Sequence, residues 1–446
     1  LKLASQLPSN LIAGTNSESI DIAEDREKWS ALCESLSIAQ PPGGTARNVE
    51  QAIEIANRIG YPVLVRPSYV LGGRAMQIVH DQDHLRTAML EMDQAGSLGR
   101  EGGLSSERPV LVDRFLEDAI EVDVDAIRDA TDEVLIGGVM EHVEQAGVHS
   151  GDSACTIPPV TLSKQIVDEI ESTITKIARA LSVIGLINVQ FAVAGTTVYV
   201  IEANPRASRT VPFVAKATGV QLVKVASRVM MGATLGQLRS EGLLPDKVKG
   251  GHVSVKEAVL PFNRFSEVDT ALGPEMRSTG EVMGIDDSFA RAFVKAQFAA
   301  GTTLPETGLV FVSLNVRDKS GGVEVVNGLT SLGLQIAATT GTAKFLTEHG
   351  CTVSRIVGKF SERKSDGKGA DDAVKLIEAG EIALVINTPR GYGTRSDGEA
   401  IRKAANNCRV SVVTTLSAAT AAVQGMIEQR NRPFSVMSLQ EFHGRQ

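Results

Sequence analysis

The stretch that most constrains this chain is Asn188–Arg206, NVQFAVAGTTVYVIEANPR. Two runs rich in alternating apolar residues flank Gly195-Thr196-Thr197, which reads as a β-hairpin. A three-residue loop sets Ala194 opposite Val198, Gln190 opposite Glu202 and Asn188 opposite Asn204. Val189, Phe191, Val193, Tyr199, Ile201 and Ala203 then share one face, and Gln190, Glu202 and Asn204 share the other. A two-residue turn would send Gln190 and Glu202 to opposite faces, so the three-residue loop is the expected register. An amide, a carboxylate and a second amide are hard oxygen donors, suited to Mg²⁺ carrying substrate phosphates. Arg206, just beyond, is a fixed cation for a phosphate or carboxylate. The pattern equally fits an ordinary hairpin with polar ends.

Upstream, Ser17 to Leu36 reads as one helix with Ala23, Leu32 and Leu36 inward and Arg26 near its start. Pro41-Pro42-Gly43-Gly44 breaks it, and Asn48 to Ile59 is a second helix stopped by Gly60. PVLVR, Pro62 to Arg66, is a short buried strand. The paired glycines of SYVLGGRAM, Gly72 and Gly73, let backbone amides approach a phosphate, and Arg66 and Arg74 flank them. Neither a Walker motif nor GxGxxG is present there. Gln94 to Glu107 is a Gly/Ser-rich break, and PVLVD is a strand. Glu121-Val122-Asp123-Val124-Asp125 alternates as a strand with one acidic face, either a solvated edge or a ribose or metal contact. Val134 to Glu141 is a strand and Glu144 to Asp152 a polar loop carrying His149. Ile166, Ile170, Ile174, Ile177 and Leu181 mark an amphipathic helix. Val211 to Met231 reads as one helix stopping at Gly232, and 273–285 as a loop.

Beyond Gly308 the chain changes character. LVFVSLNV, LQIAAT, SRIVGK, IALVINT and VSVVTT alternate with helical runs at 322–332, 342–349, 371–379, 398–406 and 417–429, the pattern of a parallel sheet faced by helices. Thr339 to Thr342 lies where a strand passes into a helix, a place where free amides bind phosphate or simply cap the helix. A formal charge of -8 argues against nucleic-acid binding. No apolar run is long enough to span a bilayer, and no signal peptide is visible. Cys33, Cys155, Cys351 and Cys408 show no metal spacing and read as free thiols of a cytoplasmic protein. The start at LKLASQL, without methionine, reads as a fragment or processed piece.

Arg26, VRPSYVLGGRAM, EVDVDAI, MEHVEQAGVHSGDSA, NVQFAV and IEANPRASRTVPFVAKATG together closely resemble the carboxy-terminal half of the carbamoyl phosphate synthetase large chain, and the resemblance runs essentially from end to end. It implies an α/β and α+β multidomain protein: a remnant of a preceding domain (1–20), an ATP-grasp domain (21–235), a connector (236–300) and a Rossmann-like, methylglyoxal-synthase-like regulatory domain (301–446). It implies an ATP-dependent ligase that phosphorylates carbamate with Mg²⁺ or Mn²⁺ and serves arginine and pyrimidine synthesis. The implied partners are a glutaminase small subunit and a homologous amino-terminal half.

Position by position, Gln190, Glu202 and Asn204 resemble the metal ligands. Arg26, Arg66 and the Gly72-Gly73 loop resemble the phosphate contacts. Arg114 and Leu116 fall at the adenine hinge, Glu121 at the ribose, and Gly147, Val148, His149 and Ser150 in the loop lining the nucleotide. Arg206 would meet the transferred phosphoryl group or the carbamate, and Arg66 and Glu202 share in catalysis. Glu144, Asp152 and Glu257 match positions that hold the effector ornithine in some members. Thr339, Thr342, Lys359 and Asn387 match a nucleotide monophosphate site. Thr340 replaces a frequent histidine there and Pro389 a threonine, which points to weaker or altered nucleotide selectivity. Another ATP-grasp ligase and a non-catalytic nucleotide sensor are the competing readings.

Overall fold

A computed structural model describes residues 6–8, 11–67, 76–98, 109–245, 250–265, 269–358, 372–388 and 396–444. The glycine loop with Gly72 and Gly73, and also Lys359 and Pro389, lie outside the described residues.

The expected first helix is two, α1 (Ser17–Glu24) and α2 (Arg26–Ser35). Asp25 leaves the helical region, and its carboxylate accepts the Glu27 and Lys28 amides, starting a new helix in which Trp29 and Cys33 are buried. Instead of a plain break, Gly43 and Gly44 open β1 (Gly43–Ala46). Then come α3 (Val49–Ile59), β2 (Val63–Pro67), β3 (Gln77–Val79), α4 (Gln82–Leu98) and β4 (Val110–Arg114). The helix α4 runs five residues into the expected Gly/Ser break. These strands form an antiparallel sheet in the order β1-β4-β2-β3, with α3 and α4 packed on Val63, Val65, Val110 and Val112.

The second sheet holds β5 (Ile120–Arg128), β6 (Val134–His142), β7 (Cys155–Ile157), β8 (Gly185–Ala194), β9 (Thr197–Asn204), β10 (Val253–Val259) and β11 (Gly280–Asp286), in the order β11-β10-β7-β6-β5-β8-β9. The expected loop at 273–285 therefore ends in a strand. One face packs on α5 (Lys164–Ala180), whose Ile166, Ile170, Ile174 and Ile177 are buried as the periodicity required. The other face carries α6 (Val211–Thr218), α7 (Leu222–Met230) and α8 (Leu235–Ser240). Gly219 at φ 73° divides α6 from α7, where one helix was expected. α9 (Phe289–Ala299) lies on β10 and β11; a Cβ on Gly284 would sit 2.0 Å from the Ala292 carbonyl oxygen, so only glycine permits that approach.

The last unit is β12 (Leu309–Ser313), α10 (Lys319–Ser331), β13 (Gln335–Thr339), α11 (Thr340–Glu348), β14 (Arg355–Val357), α12 (Ala373–Glu378), β15 (Ile382–Asn387), α13 (Ser396–Asn407), β16 (Ser411–Val413) and α14 (Leu416–Asn431). Its sheet, β14-β13-β12-β15-β16, is wholly parallel, as the βα alternation predicts. A short α15 (Leu439–Gly444) returns to the first body, where His443 Nε2 meets the Lys216 carbonyl. All four cysteines are free thiols. No helix among the described residues is long and apolar enough to cross a membrane.

Candidate active site

Between the two antiparallel sheets lies a cleft of about 370 Å³. Arg26, Arg66, Arg114, Leu116, Glu121, Gly147, Val148, His149, Ser150, Gln190, Glu202, Asn204 and Arg206 all line it, although they come from α2, β2, β4, β5, β8, β9 and the connecting loops.

The hairpin reaches the expected pairing by an unexpected route. Its turn has two residues, since Ala194 pairs with Thr197 rather than Val198. A one-residue bulge at Ile201 then restores Gln190 opposite Glu202 and Asn188 opposite Asn204. Between turn and bulge the faces are exchanged: Val198 and Val200 enter the core, while Ile201 lines the cleft and Tyr199 is half-buried.

The cations of the upper wall are pinned. Asp113 accepts from Arg26 Nη2 at 2.6 Å on one oxygen and from Arg66 Nη2 at 3.3 Å on the other. Burial and the neighbouring Arg66 lower the Arg26 pKa, and Asp113 opposes them. Arg114 donates to the Tyr61 carbonyl at 2.6 Å, which fastens the hinge to the α3–β2 turn.

The floor rests on a buried polar layer. Glu121 accepts the Gly147 amide at 2.8 Å and lies 3.6 Å from His142 Nδ1, whose Nε2 is 2.8 Å from Asp123. Burial works against charge on His142, but the Cys155 sulfur and Asp123 outweigh it and hold the imidazole pKa well above its ordinary value. Asp123 is correspondingly lowered although burial opposes the shift. Asn188 donates to Asp123 and Asp125 at 3.2 and 3.1 Å, and the Ser208 and Thr210 hydroxyls donate to Asp125 at 2.7 and 2.6 Å. Burial still pushes Asp125 up to about 6. The acidic face of β5 is thus neither solvated nor an edge: β5 lies between β6 and β8, and Asp123 and Asp125 are 1% exposed.

His149 Nδ1 accepts the Gly151 amide at 3.0 Å, so its proton is carried on Nε2. Burial and Arg209 lower its pKa, which leaves a neutral donor. The expected oxygen donors Gln190, Glu202 and Asn204 fit a hard cation. Gln190 Nε2 donates to Ser150 Oγ at 3.3 Å, leaving its amide oxygen as the ligand atom. Glu202 supplies the single carboxylate, with one oxygen accepting from Asn204 at 3.0 Å. Asn204 Oδ1 accepts from Arg206 Nη2 at 2.9 Å, so Asn204 can ligate only by turning from Arg206. One carboxylate and two amides leave further coordination to phosphate oxygens and water, which suits Mg²⁺ rather than a softer ion.

The other expected sites lie apart from the cleft. Glu144, half-buried, and Glu257, 8% exposed, lie within electrostatic reach of one another, and desolvation pushes them up to about 7 and about 8. Gln297 donates to Glu257 at 2.5 Å. Asp152 is committed elsewhere, its two oxygens accepting the Arg277 and Ser278 amides at 2.7 and 2.8 Å. Thr339, Thr342 and Asn387 gather at the carboxyl edge of the parallel sheet, where Thr342 Oγ1 accepts the Leu314 amide at 3.1 Å and the Thr339 hydroxyl at 3.1 Å.

Residues 25–238 match the carbamoyl-phosphate synthase L chain ATP binding domain, and residues 321–414 match the MGS-like domain. The chain is 48% identical over 98% of its length to the carbamoyl phosphate synthase large chain of a Nostoc species, and 50% identical over 97% to that of Mycobacterium tuberculosis. By sequence, the chain is similar to part of the carbamoyl phosphate synthase large chains. It spans 38% and 39% of those two relatives. Among solved structures, biotin carboxylase of Campylobacter jejuni in its β,γ-ATP complex shares a TM-score of 0.53 at 17% identity, covering 68% of this chain and 71% of that one. The biotin carboxylase domain of Hydrogenobacter thermophilus 2-oxoglutarate carboxylase, with MgADP and bicarbonate, gives 0.53 at 17%, covering 67% and 69%. The fold of the first body is therefore ATP-grasp.

Sequence reasoning missed the supports of the cleft. Asp113 ends the PVLVD strand and His142 stands in the MEHVEQAG run, but only long-range strand pairing reveals what they face. Lys256, 1% exposed and donating to the Ser150 carbonyl at 2.9 Å, had no signal beyond its place in an apolar strand.

Proposed function

We propose that this chain is the carbamate-phosphorylating part of a glutamine-dependent carbamoyl phosphate synthase. Residues 21–235 form its ATP-grasp domain, 236–300 complete that unit, 301–446 form an effector-binding domain and 1–20 are the remnant of a preceding one. The observation that carries the reading is the convergence of two phosphate-type arginines, Arg26 and Arg66, and three oxygen donors, Gln190, Glu202 and Asn204, on one cleft.

Carbamate is already an anion and needs no general base. One of its oxygens bonds to the γ-phosphorus of ATP as the bond to the β-phosphate oxygen breaks, and ADP leaves. The work is alignment and charge neutralisation. Arg26 and Arg66, fixed through Asp113, hold phosphate oxygens, and Arg206 orients the carbamate or the moving phosphoryl group. Glu121 takes the ribose, with His142 beneath it fixing its carboxylate. His149 and Ser150 close the side of the nucleotide. Gln190, Glu202 and Asn204 would hold Mg²⁺, which supplies charge neutralisation at the phosphates. An amino-terminal half and a glutaminase subunit supply the carbamate, and the enzyme feeds arginine and pyrimidine synthesis in the cytoplasm. Glu144, Glu257 and Asp152 take ornithine, and the Thr339–Thr342 turn with Lys359 and Asn387 takes a nucleoside monophosphate.

The test is the reverse partial reaction, ATP formation from ADP and carbamoyl phosphate with Mg²⁺, which needs neither the amino-terminal half nor the glutaminase. ATP formation is expected. A chain that melts cooperatively and binds ADP yet forms no ATP overturns the reading.

A further inference from the structure

The terminal domain meets the nucleotide-binding body through two kinds of contact. The first is apolar and tight. α14 crosses α9 so closely that a Cβ on Gly425 would lie 2.3 Å from Val294 Cγ2 and 2.5 Å from the Ala290 carbonyl oxygen. Arg291, 2% exposed, ties the crossing to the following segment through the Arg432 carbonyl at 2.7 Å.

The second contact is polar and sits at the carboxyl edge of the parallel sheet. Arg402 on α13 is 6% exposed. Its Nη1 donates to Asn387 Oδ1 at 2.9 Å, at the end of β15. Its Nε and Nη2 donate to the two oxygens of Asp269 at 2.7 and 2.6 Å. Gly398 makes room for this guanidinium, since a Cβ there would lie 3.0 Å from Nη1.

Asp269 begins a segment that reaches the nucleotide cleft. Its main-chain carbonyl accepts from Arg277 Nη1 at 2.8 Å. The Gly273 carbonyl accepts the His149 amide at 2.8 Å, Pro274 forms part of the cleft wall, and Asp152 holds the Arg277 and Ser278 amides. A parallel link runs to the opposite wall. Arg317, in the β12–α10 loop, donates to Asp118 at 2.6 Å, just past the Arg114–Leu116 hinge.

We propose that the Arg402–Asp269 pair couples the carboxyl edge of the terminal domain to the nucleotide cleft through residues 269–279, with Arg317–Asp118 as a second, solvent-exposed link. The inference rests on the reading that the cleft takes ATP and that Asn387 belongs to an effector site. One guanidinium serves both Asn387 and Asp269. A ligand that claims the Asn387 amide changes what Arg402 offers Asp269, and a buried guanidinium does not stay unpaired. Movement of Asp269 then shifts the loop that holds the His149 amide and carries Pro274. Such coupling is reciprocal: cleft occupancy must alter the Arg402–Asn387 end by the same free energy.

Reciprocity allows a test that needs no effector. MgADP is added to the full chain, and binding is followed by fluorescence of Trp29, the one tryptophan, which lines the cleft. Amide exchange is read across 382–388 and 396–407. We expect MgADP to change exchange in both segments of the parent by about 5-fold or more, the lower end of typical couplings. In Asp269→Asn the Trp29 response is expected to persist while the distant change is lost. A Trp29 response with unchanged exchange at 382–388 and 396–407 in the parent overturns the coupling whatever the variant does. So does full retention of the distant change in a folded Asp269→Asn. Absence of any Trp29 response or cleft protection has a different signature and sinks the nucleotide reading together with the coupling.

Discussion

On the proposed reading the nucleotide cleft and the carboxyl edge of the terminal sheet both meet phosphate, but with opposite materials. In the cleft, charged groups are held by buried or half-buried partners: Arg26 and Arg66 by Asp113, His142 by Asp123, Glu121 by the Gly147 amide. At the sheet edge the side chains that bond one another are mostly neutral, and the cation at the turn, Lys319, is engaged by the Gly341 carbonyl at 2.8 Å. Ser313, Thr339 and Thr342 bond one another, and Thr388 accepts the Asn315 amide at 2.8 Å. The nearby arginines, Arg317 and Arg402, are spent on Asp118 and Asp269 of the other body. Fixed charges cost desolvation but need no reorganisation during phosphoryl transfer. Neutral hydroxyls with cations engaged across an interface bind more weakly, and their binding has to disturb that interface. The first arrangement suits chemistry and the second suits sensing.

The contrast is broken most directly at Glu202. Glu202→Ala removes the only carboxylate of the oxygen-donor set. We expect ATP formation from carbamoyl phosphate and ADP to fall on the order of 10²–10³-fold or more, as when one preorganised charge-facing group is lost. Thermal stability should stay near the parent's, since Glu202 is half-buried and its hydrogen-bond partner is a neighbouring side chain. Comparable rates in mutant and parent would remove the metal assignment and with it the catalytic side of the comparison.

The acids Glu144 and Glu257, outside both regions, sharpen the comparison through pH. Burial, then the Glu144 charge, pushes Glu257 up to about 8 from an ordinary 4.5. The folded state therefore binds a proton that the unfolded state has released. The resulting stability is fully present below pH 4.5 and is lost as pH rises through about 8. Glu257→Gln should abolish that loss, so the variant should resist urea better than the parent at pH 8, by a few kcal/mol, and match it at pH 4.5. A difference that grows toward acid would mean Glu257 is paired as a carboxylate.

Gly425→Ala tests whether the terminal domain is packed as closely as the two arginine links require. The added methyl meets Val294 and the Ala290 carbonyl, an overpacking worth about 1–3 kcal/mol. Melting should drop accordingly while the partial reaction survives at low temperature. An unchanged melting curve would mean α9 and α14 are not locked together.

What could be read from the chain followed from local period. The α5 stripe and the parallel βα alternation were legible because period 3.6 and period 2 are local signals, whereas the gathering of Gln190, Glu202 and Asn204 was expected from a three-residue loop and is produced by a two-residue turn and a bulge. The turn length was not. Val198, Tyr199, Val200 and Ile201 are all apolar or aromatic, so either alternate set could face the core, and a bulge leaves no mark in such a run. Asp25 and Gly219 carried helix-boundary chemistry inside apolar periods that continued past them, and the period was followed instead of the cap. Burial of Asp123 and Asp125 depended on β6 and β8 flanking β5. His142, Asp113 and the Arg402–Asp269 pair depend on contacts 19 to 133 residues apart in sequence. No local pattern encodes those distances.

The smallest expected effect is at Thr342, and it isolates the sensing side. Its hydroxyl oxygen accepts the Leu314 amide and the Thr339 hydroxyl, and it is 2% exposed. Thr342→Ala should cost the terminal domain about 1 kcal/mol, the usual worth of a lost hydrogen bond. Free amides at the start of α11 and the positive end of its dipole still favour a dianion, but the turn that aims them loses its anchor. Calorimetric titration of the full chain with uridine or inosine monophosphate should show weaker binding in the variant. Basal ATP formation should change by less than about twofold, because the Thr342 hydroxyl bonds Leu314 and Thr339 and not the Arg402–Asp269 link. Equal affinity in variant and parent, or no binding of either nucleotide to the parent, would remove the phosphate site from the sheet edge. The neutral hydroxyls would then be ordinary strand-end packing, and the two regions would differ in having a ligand at all rather than in how they hold one.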